Sequence, residues 1–167
     1  MKIKKIVVGD LQENCYIIEK NGKCLIVDPG DEYWKIKENI TCDVVGVLIT
    51  HNHFDHVGAL DEILRDYKVL VNEKFLGFDF EIIKTPGHTK SSLTFYFRED
   101  KVMFTGDFLF SGSIGRLDLG GNREDMINSL NMIKNYDKDI LLYPGHGNST
   151  TIGDEIDTIN YFISVLS

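Results

Sequence analysis

The run Val44-Val45-Gly46-Val47-Leu48-Ile49-Thr50-His51-Asn52-His53-Phe54-Asp55-His56-Val57 decides most of what this sequence says. Val44 to Ile49 is continuously apolar, the pattern of a short strand buried on both faces. It runs directly into His51, His53, Asp55 and His56. The chain has five histidines. The remaining two, His88 and His146, lie in the Gly-flanked turns Thr85-Pro86-Gly87-His88-Thr89 and Pro144-Gly145-His146-Gly147. No imidazole is left for ordinary surface or core duty, so the set reads as holding metal.

Working outward, the same arrangement recurs. Lys4 to Val8, Cys15 to Glu19 and Lys23 to Val27 read as strands, the last two joined by Asn21-Gly22, a type I′ hairpin signal. Asp28-Pro29-Gly30 breaks the sheet before a helix over Glu32 to Asn39, and Gly58 to Arg65 has helical spacing ahead of a strand near Lys68 to Val71. Phe80 to Lys84, Leu93 to Phe97, Val102 to Thr105 and Ile140 to Tyr143 complete the strands. Asp125 to Asn135 and Asp154 to Val165 are amphipathic helices. The polar clusters each follow a strand: His51 after 44–49, His88 after 80–84, Asp107 after 102–105 and His146 after 140–143. Paired strands deliver their ends to one sheet edge, where α/β ligand sites lie. Two layers of sheet, each covered by helices, suit the strand count.

His51 and His53 are two apart, so in an extended segment both rings point the same way. Asp55 and His56 follow at a helix start and can aim at a second position. One metal rarely takes four ligands from six residues, whereas two adjacent ions can divide them. Adding His88, Asp107 and His146 gives seven donors, all imidazole or carboxylate. Such a set suits Zn²⁺, and also Fe or Mn. Seven ligands over two divalent ions, one carboxylate bridging, leave room for a shared water, as in an open catalytic site. Asp28 reads as a turn residue or a hydrogen-bond partner of a ligand.

Together His51-x-His53-x-Asp55-His56, the Thr85-Pro-Gly-His88-Thr89 turn, Phe104-Thr-Gly-Asp107 and Pro144-Gly-His146-Gly147 resemble the metallo-β-lactamase-fold hydrolases. Order and approximate spacing hold over nearly the whole chain, including Glu13-Asn14-Cys15-Tyr16 and Val27-Asp28-Pro29-Gly30. The resemblance implies an α+β fold, a four-layer αβ/βα sandwich of two mixed sheets flanked by helices. It implies His51, His53 and His88 on one metal, Asp55, His56 and His146 on a second, and Asp107 bridging them. Class B1 β-lactamases carry Cys where Asp107 stands, and flavodiiron oxygen reductases carry Glu where His53 stands, so neither activity is expected. Phe108 to Arg116 and Thr150 to Glu155 look most like the short glyoxalase-II-like hydrolases. The implied reaction is thioester hydrolysis of the hydroxyacylglutathione hydrolase kind, with a metal-bridging hydroxide attacking the thioester carbonyl. Asp55 would orient the nucleophile and take up a proton, and Arg116 would bind a substrate carboxylate. A persulfide dioxygenase of the same fold, with a single iron on two histidines and an aspartate, would find its ligands among His51, His53, His88 and Asp107, and a lactonase would use the same site. No counterpart of the glutathione-binding C-terminal helical domain is expected, so residues 1–167 read as one domain.

Composition bounds the partners. Lys and Arg total 18 against 26 Asp and Glu, a formal charge of −8. A nucleic-acid partner would need a basic footprint, and none is expected. No apolar run suits a signal peptide or a membrane span. Three cysteines, Cys15, Cys24 and Cys42, form no CxxC. They read as reduced, small buried hydrophobes. A cytoplasmic enzyme acting on a small-molecule thioester is the expectation; the oligomeric state is not legible.

Overall fold

A computed structural model describes all residues, 1–167. The chain divides into two compact units, Met1–Asp79 and Phe80–Ser167.

The first unit is built on a four-stranded sheet in the order β1-β2-β3-β4. Its strands are β1 (Lys2–Val8), β2 (Glu13–Lys20), β3 (Lys23–Val27) and β4 (Asp43–Leu48). β1, β2 and β3 pair antiparallel, and β4 joins β3 in parallel, so the sheet is mixed. Asn21 and Gly22 both have positive φ, 53° and 75°, as the expected type I′ turn requires. The parallel β3–β4 pair needs a crossover, which contains α1 (Tyr33–Glu38). After β4 come one turn of helix, α2 (Phe54–Val57), and then α3 (Leu60–Tyr67). The core gathers Ile6, Ile17, Ile26, Val47 and Ile63, with Ile36 of α1.

One expectation fails here. The strand near Lys68 to Val71 is reduced to a single bridge between Val47 and Val71. Lys68 adopts the left-handed conformation, φ 54°, and donates its N–H to the Leu64 carbonyl. It thereby caps α3, and the following residues are displaced from a regular ladder.

The second unit carries a five-stranded sheet in the order β11-β10-β7-β6-β5, again mixed. Its strands are β5 (Glu81–Lys84), β6 (Leu93–Phe97), β7 (Val102–Gly106), β10 (Leu141–Pro144) and β11 (Thr150–Thr151). β7 and β10 are parallel, and their crossover carries α4 (Arg123–Ile133). The start of α4 is fixed by the Asn122 side chain, which accepts the Asp125 N–H at 2.9 Å. α5 (Ile156–Leu166) closes the chain and packs on α4. A small hairpin, β8 (Leu109–Phe110) with β9 (Ser113–Ile114), was not expected, because two-residue strands carry no periodicity to detect. Buried Met103, Phe108, Met126, Leu130, Leu142 and Ile159 form this unit's core. The expected fold class, mixed sheets flanked by helices, is therefore present. No helix is long and apolar enough to cross a membrane.

Candidate metal centre

In the first unit the chain leaves β4 and enters the cluster at once. Thr50 anchors the exit. Its N–H donates to Asp28 Oδ1 at 2.7 Å, and its hydroxyl donates to Asp28 Oδ2 at 2.5 Å. Having given its proton to Asp28, the Thr50 oxygen accepts the His51 Nδ1–H at 3.1 Å. His56 Nδ1 lies 2.9 Å from Asp28 Oδ2 and must donate, because a carboxylate only accepts. Asp28 thus receives three hydrogen bonds at 2 % exposure. Of the two expectations for Asp28, turn residue or hydrogen-bond partner of a ligand, the structure shows it hydrogen-bonded to His56. It holds both His51, through Thr50, and His56 by their Nδ1 atoms, which presents each Nε2 outward.

The outward faces cluster. His51 Nε2 lies 3.1 Å from His53 Nδ1, and the His51 and His56 ring centroids are 4.1 Å apart. His56 Nε2 is 3.8 Å from Asp55 Oδ2. Gly30 makes the packing possible: a Cβ there would meet the Asp55 carbonyl oxygen at 1.8 Å. Glu13, at 1 % exposure, brings Oε1 to 3.7 Å from His56 Nδ1. Its role escaped sequence reasoning, because a charge opening a strand is ordinary in sequence and only the burial of Glu13 and the five residues after it sets it apart.

In the second unit His88 follows β5, Asp107 follows β7 and His146 follows β10, as the strand-end argument requires. Asp107 Oδ2 is 3.6 Å from His88 Nε2 and 3.7 Å from His146 Nε2. His88 Nδ1 donates to the Arg116 carbonyl at 2.7 Å, which fixes the tautomer and makes Nε2 the nitrogen with a lone pair. The His146 ring packs edge-to-face on Phe110 of β8, centroids 6.0 Å apart. Gly115 repeats the part of Gly30, since a Cβ there would lie 1.8 Å from the Asp107 carbonyl and 2.9 Å from His88 Nδ1. The Arg116 guanidinium is exposed and engaged with Asp118, at 2.6 and 2.5 Å. That contact holds the Asp118 carboxyl down at about 2.

The donor sets fit metal ions. Two ligand atoms about 2.1 Å from one ion stand roughly 3 to 3.5 Å apart. The 3.1 Å His51–His53 separation falls in this range, and those at Asp107 and at Asp55–His56 lie slightly beyond it. A single Asp107 oxygen reaching two imidazole nitrogens is the disposition a shared ligand needs. The cysteines take no part: all are free thiols, and burial, then the Glu13 and Asp28 charges, push the Cys15 thiol well up.

The metallo-beta-lactamase superfamily model matches residues 8–71 and 66–146. The chain belongs to that superfamily. The hydroxyacylglutathione hydrolase GloC of Haemophilus influenzae is 34 % identical over 93 % of this chain and 95 % of its own length. Among solved structures, the BLEG-1 B3 metallo-beta-lactamase superposes with a TM-score of 0.87 at 28 % identity, over 96 % of this chain and 99 % of that one. TTHA1623, solved in a di-iron-bound form, gives 0.84 at 28 % identity, over 93 % and 98 %. This superfamily member is accordingly an enzyme of the metallo-hydrolase kind with the metallo-β-lactamase fold.

Proposed function

We propose that this protein is a binuclear metal-dependent thioesterase of the hydroxyacylglutathione hydrolase type, acting in the cytoplasm on a small-molecule thioester. The observation that carries the reading is Asp107 Oδ2, placed within 3.6 and 3.7 Å of two imidazole nitrogens. The similarity to GloC supports the bond type. In this reading His51, His53 and His88 hold one ion, Asp55, His56 and His146 hold the other, and Asp107 serves both. Zinc suits the donors, and iron or manganese would too. When bound, the ions would supply an acidified water and polarise the substrate carbonyl.

The chain's own residues do the rest. Asp28, directly and through Thr50, and the Arg116 carbonyl fix the tautomers of His56, His51 and His88, so these three rings need not reorient during turnover. Asp55 orients the attacking oxygen and accepts its proton. A thiolate leaves without prior protonation, so the site needs no separate general acid. Arg116 is assigned to a substrate carboxylate, which would exchange with Asp118.

The test is metal content measured together with a panel of acyl-thioesters, lactones and a β-lactam. Two ions per chain, thioester turnover, and its loss by about 10²-fold or more in His53→Ala are expected. One iron per chain with thiol-dependent oxygen uptake would replace this reading with a persulfide dioxygenase. Lactone or β-lactam turnover without thioester turnover would redirect it.

A further inference from the structure

The first unit holds a groove of about 270 Å³ that ends at Asp55. The turn between β1 and β2 contributes Asp10 and Leu11, the start of α2 contributes Phe54, and Gly30 and Asp31 complete it. Two features mark it as more than a surface crease. Leu11 is 54 % exposed and Phe54 74 % exposed, so a groove beside a proposed ligand has two apolar side chains offered to solvent. Both flanking turns are also pinned. Gly9, at φ 66°, donates its N–H to Glu32 Oε2 at 2.9 Å, and Glu32 donates its own N–H to Asp31 Oδ1 at 2.6 Å. A Cβ on Gly9 would lie 3.0 Å from Asp31 Oδ2, so that carboxylate is packed against the β1–β2 turn.

The charge is one-sided. Asp10, Asp31 and Asp55 line the groove, and no lysine or arginine does. The nearby Lys35 is taken by Glu32 at 3.2 Å. If Asp55 serves a metal, Asp10 and Asp31 still present two negative charges on an apolar-walled cleft, and such clefts select ligands by sign.

We propose that this groove seats an aliphatic part of the substrate carrying an ammonium group and turns away one carrying a carboxylate. The assignment rests on the thioesterase reading. Either half of a thioester, acyl or thiol, can present this chemistry.

Two matched series tell the halves apart. One varies the end of the acyl chain (ammonium, methyl, carboxylate) on a common thiol; the other varies the end of the thiol in the same way under a common acetyl group. In one of the series kcat/KM falls in that order, by about tenfold from ammonium to carboxylate. Asp10→Asn with Asp31→Asn flattens the order to threefold or less at unchanged metal content. Leu11→Ser lowers kcat/KM for the longer chains by about tenfold, through KM. An order that the double variant leaves intact, or a preference for carboxylate in both series, overturns the assignment while thioester hydrolysis stands. Absence of turnover across both series overturns the thioesterase reading and the groove with it.

Discussion

The two groups of candidate donors, one in each unit, are built by different means. In the first unit four donors come from six consecutive residues, on one strand exit and one turn of helix, and the side chains of Asp28 and Thr50 hold two of them, His51 and His56. In the second unit His88, Asp107 and His146 come from three strand ends, and a backbone carbonyl anchors His88. A locally encoded half-site depends on the identity of its anchors. A topologically encoded one depends on the sheet that delivers its residues, and its anchor is indifferent to the side chain attached.

The largest effect should come from striking that contrast directly. Asp28→Ala strips the acceptor from Thr50 N–H, Thr50 O–H and His56 Nδ1–H inside the protein. Breaking a buried charged network of this kind costs about 3–5 kcal/mol, and loss of a ligand's orienting partner weakens metal binding by about 10- to 100-fold. Arg116→Ala leaves the carbonyl that holds His88 in place and removes only an exposed ion pair, so stability and metal binding should stay close to those of the parent protein. Denaturant melts and metal titrations of the two variants should therefore differ sharply. If Arg116→Ala lost metal as Asp28→Ala does, the distinction between the half-sites would be void.

A second pair of variants treats the halves alike. Gly30 and Gly115 each lie where a Cβ would meet, at 1.8 Å, the carbonyl of a proposed aspartate ligand, Asp55 or Asp107. Neither oxygen is the end of a flexible side chain, so backbone must shift. Gly30→Ala and Gly115→Ala should each cost about 2–3 kcal/mol by overpacking. Their metal stoichiometry should separate them. Gly30→Ala disturbs Asp55 and His56 and should retain one ion. Gly115→Ala moves Asp107, assigned to both ions, together with His88, and should retain neither. One retained ion in both variants would remove Asp107 from its shared role.

This difference also explains what could be read from the chain. The first half-site was legible because an apolar run, Val44 to Ile49, stops at its histidines, and contiguous residues need no tertiary information to meet. The second was legible as three separate strand-end residues, and their association was inferred from topology and family resemblance. The anchors were legible only in part. Asp28 advertises itself in Asp-Pro-Gly, whereas the Arg116 carbonyl has no sequence signature, because every residue owns one. Glu13 was hidden by context: in sequence it is one more charge at a strand end, and only burial makes it unusual. The lost strand at 68–71 is the converse case, where local β-character yields to the left-handed cap at Lys68.

The smallest expected effect separates the units by pH. All three cysteines lie in the first unit, and burial raises the Cys15 and Cys24 thiols above their ordinary value of 9.0. An acid whose folded pKa is raised keeps its proton in the native state after the unfolded chain has released it. The unfolded state then binds fewer protons, so stability is constant below about pH 9 and falls as pH rises beyond it. In the second unit the raised groups of this sign are Tyr136 and Tyr143, whose ordinary value is 10.0 and whose shifts arise chiefly from burial. Its decline should begin about one pH unit later. Amide exchange followed from pH 8 to 10.5 should show β2 and β3 losing protection first, by about 1.4 kcal/mol per thiol at pH 10, with β6 and β7 following. Cys24→Ala would exchange part of this alkaline loss for a cavity cost that does not vary with pH. If its protection still fell from pH 9 as steeply as in the parent protein, thiol ionisation would not be the cause.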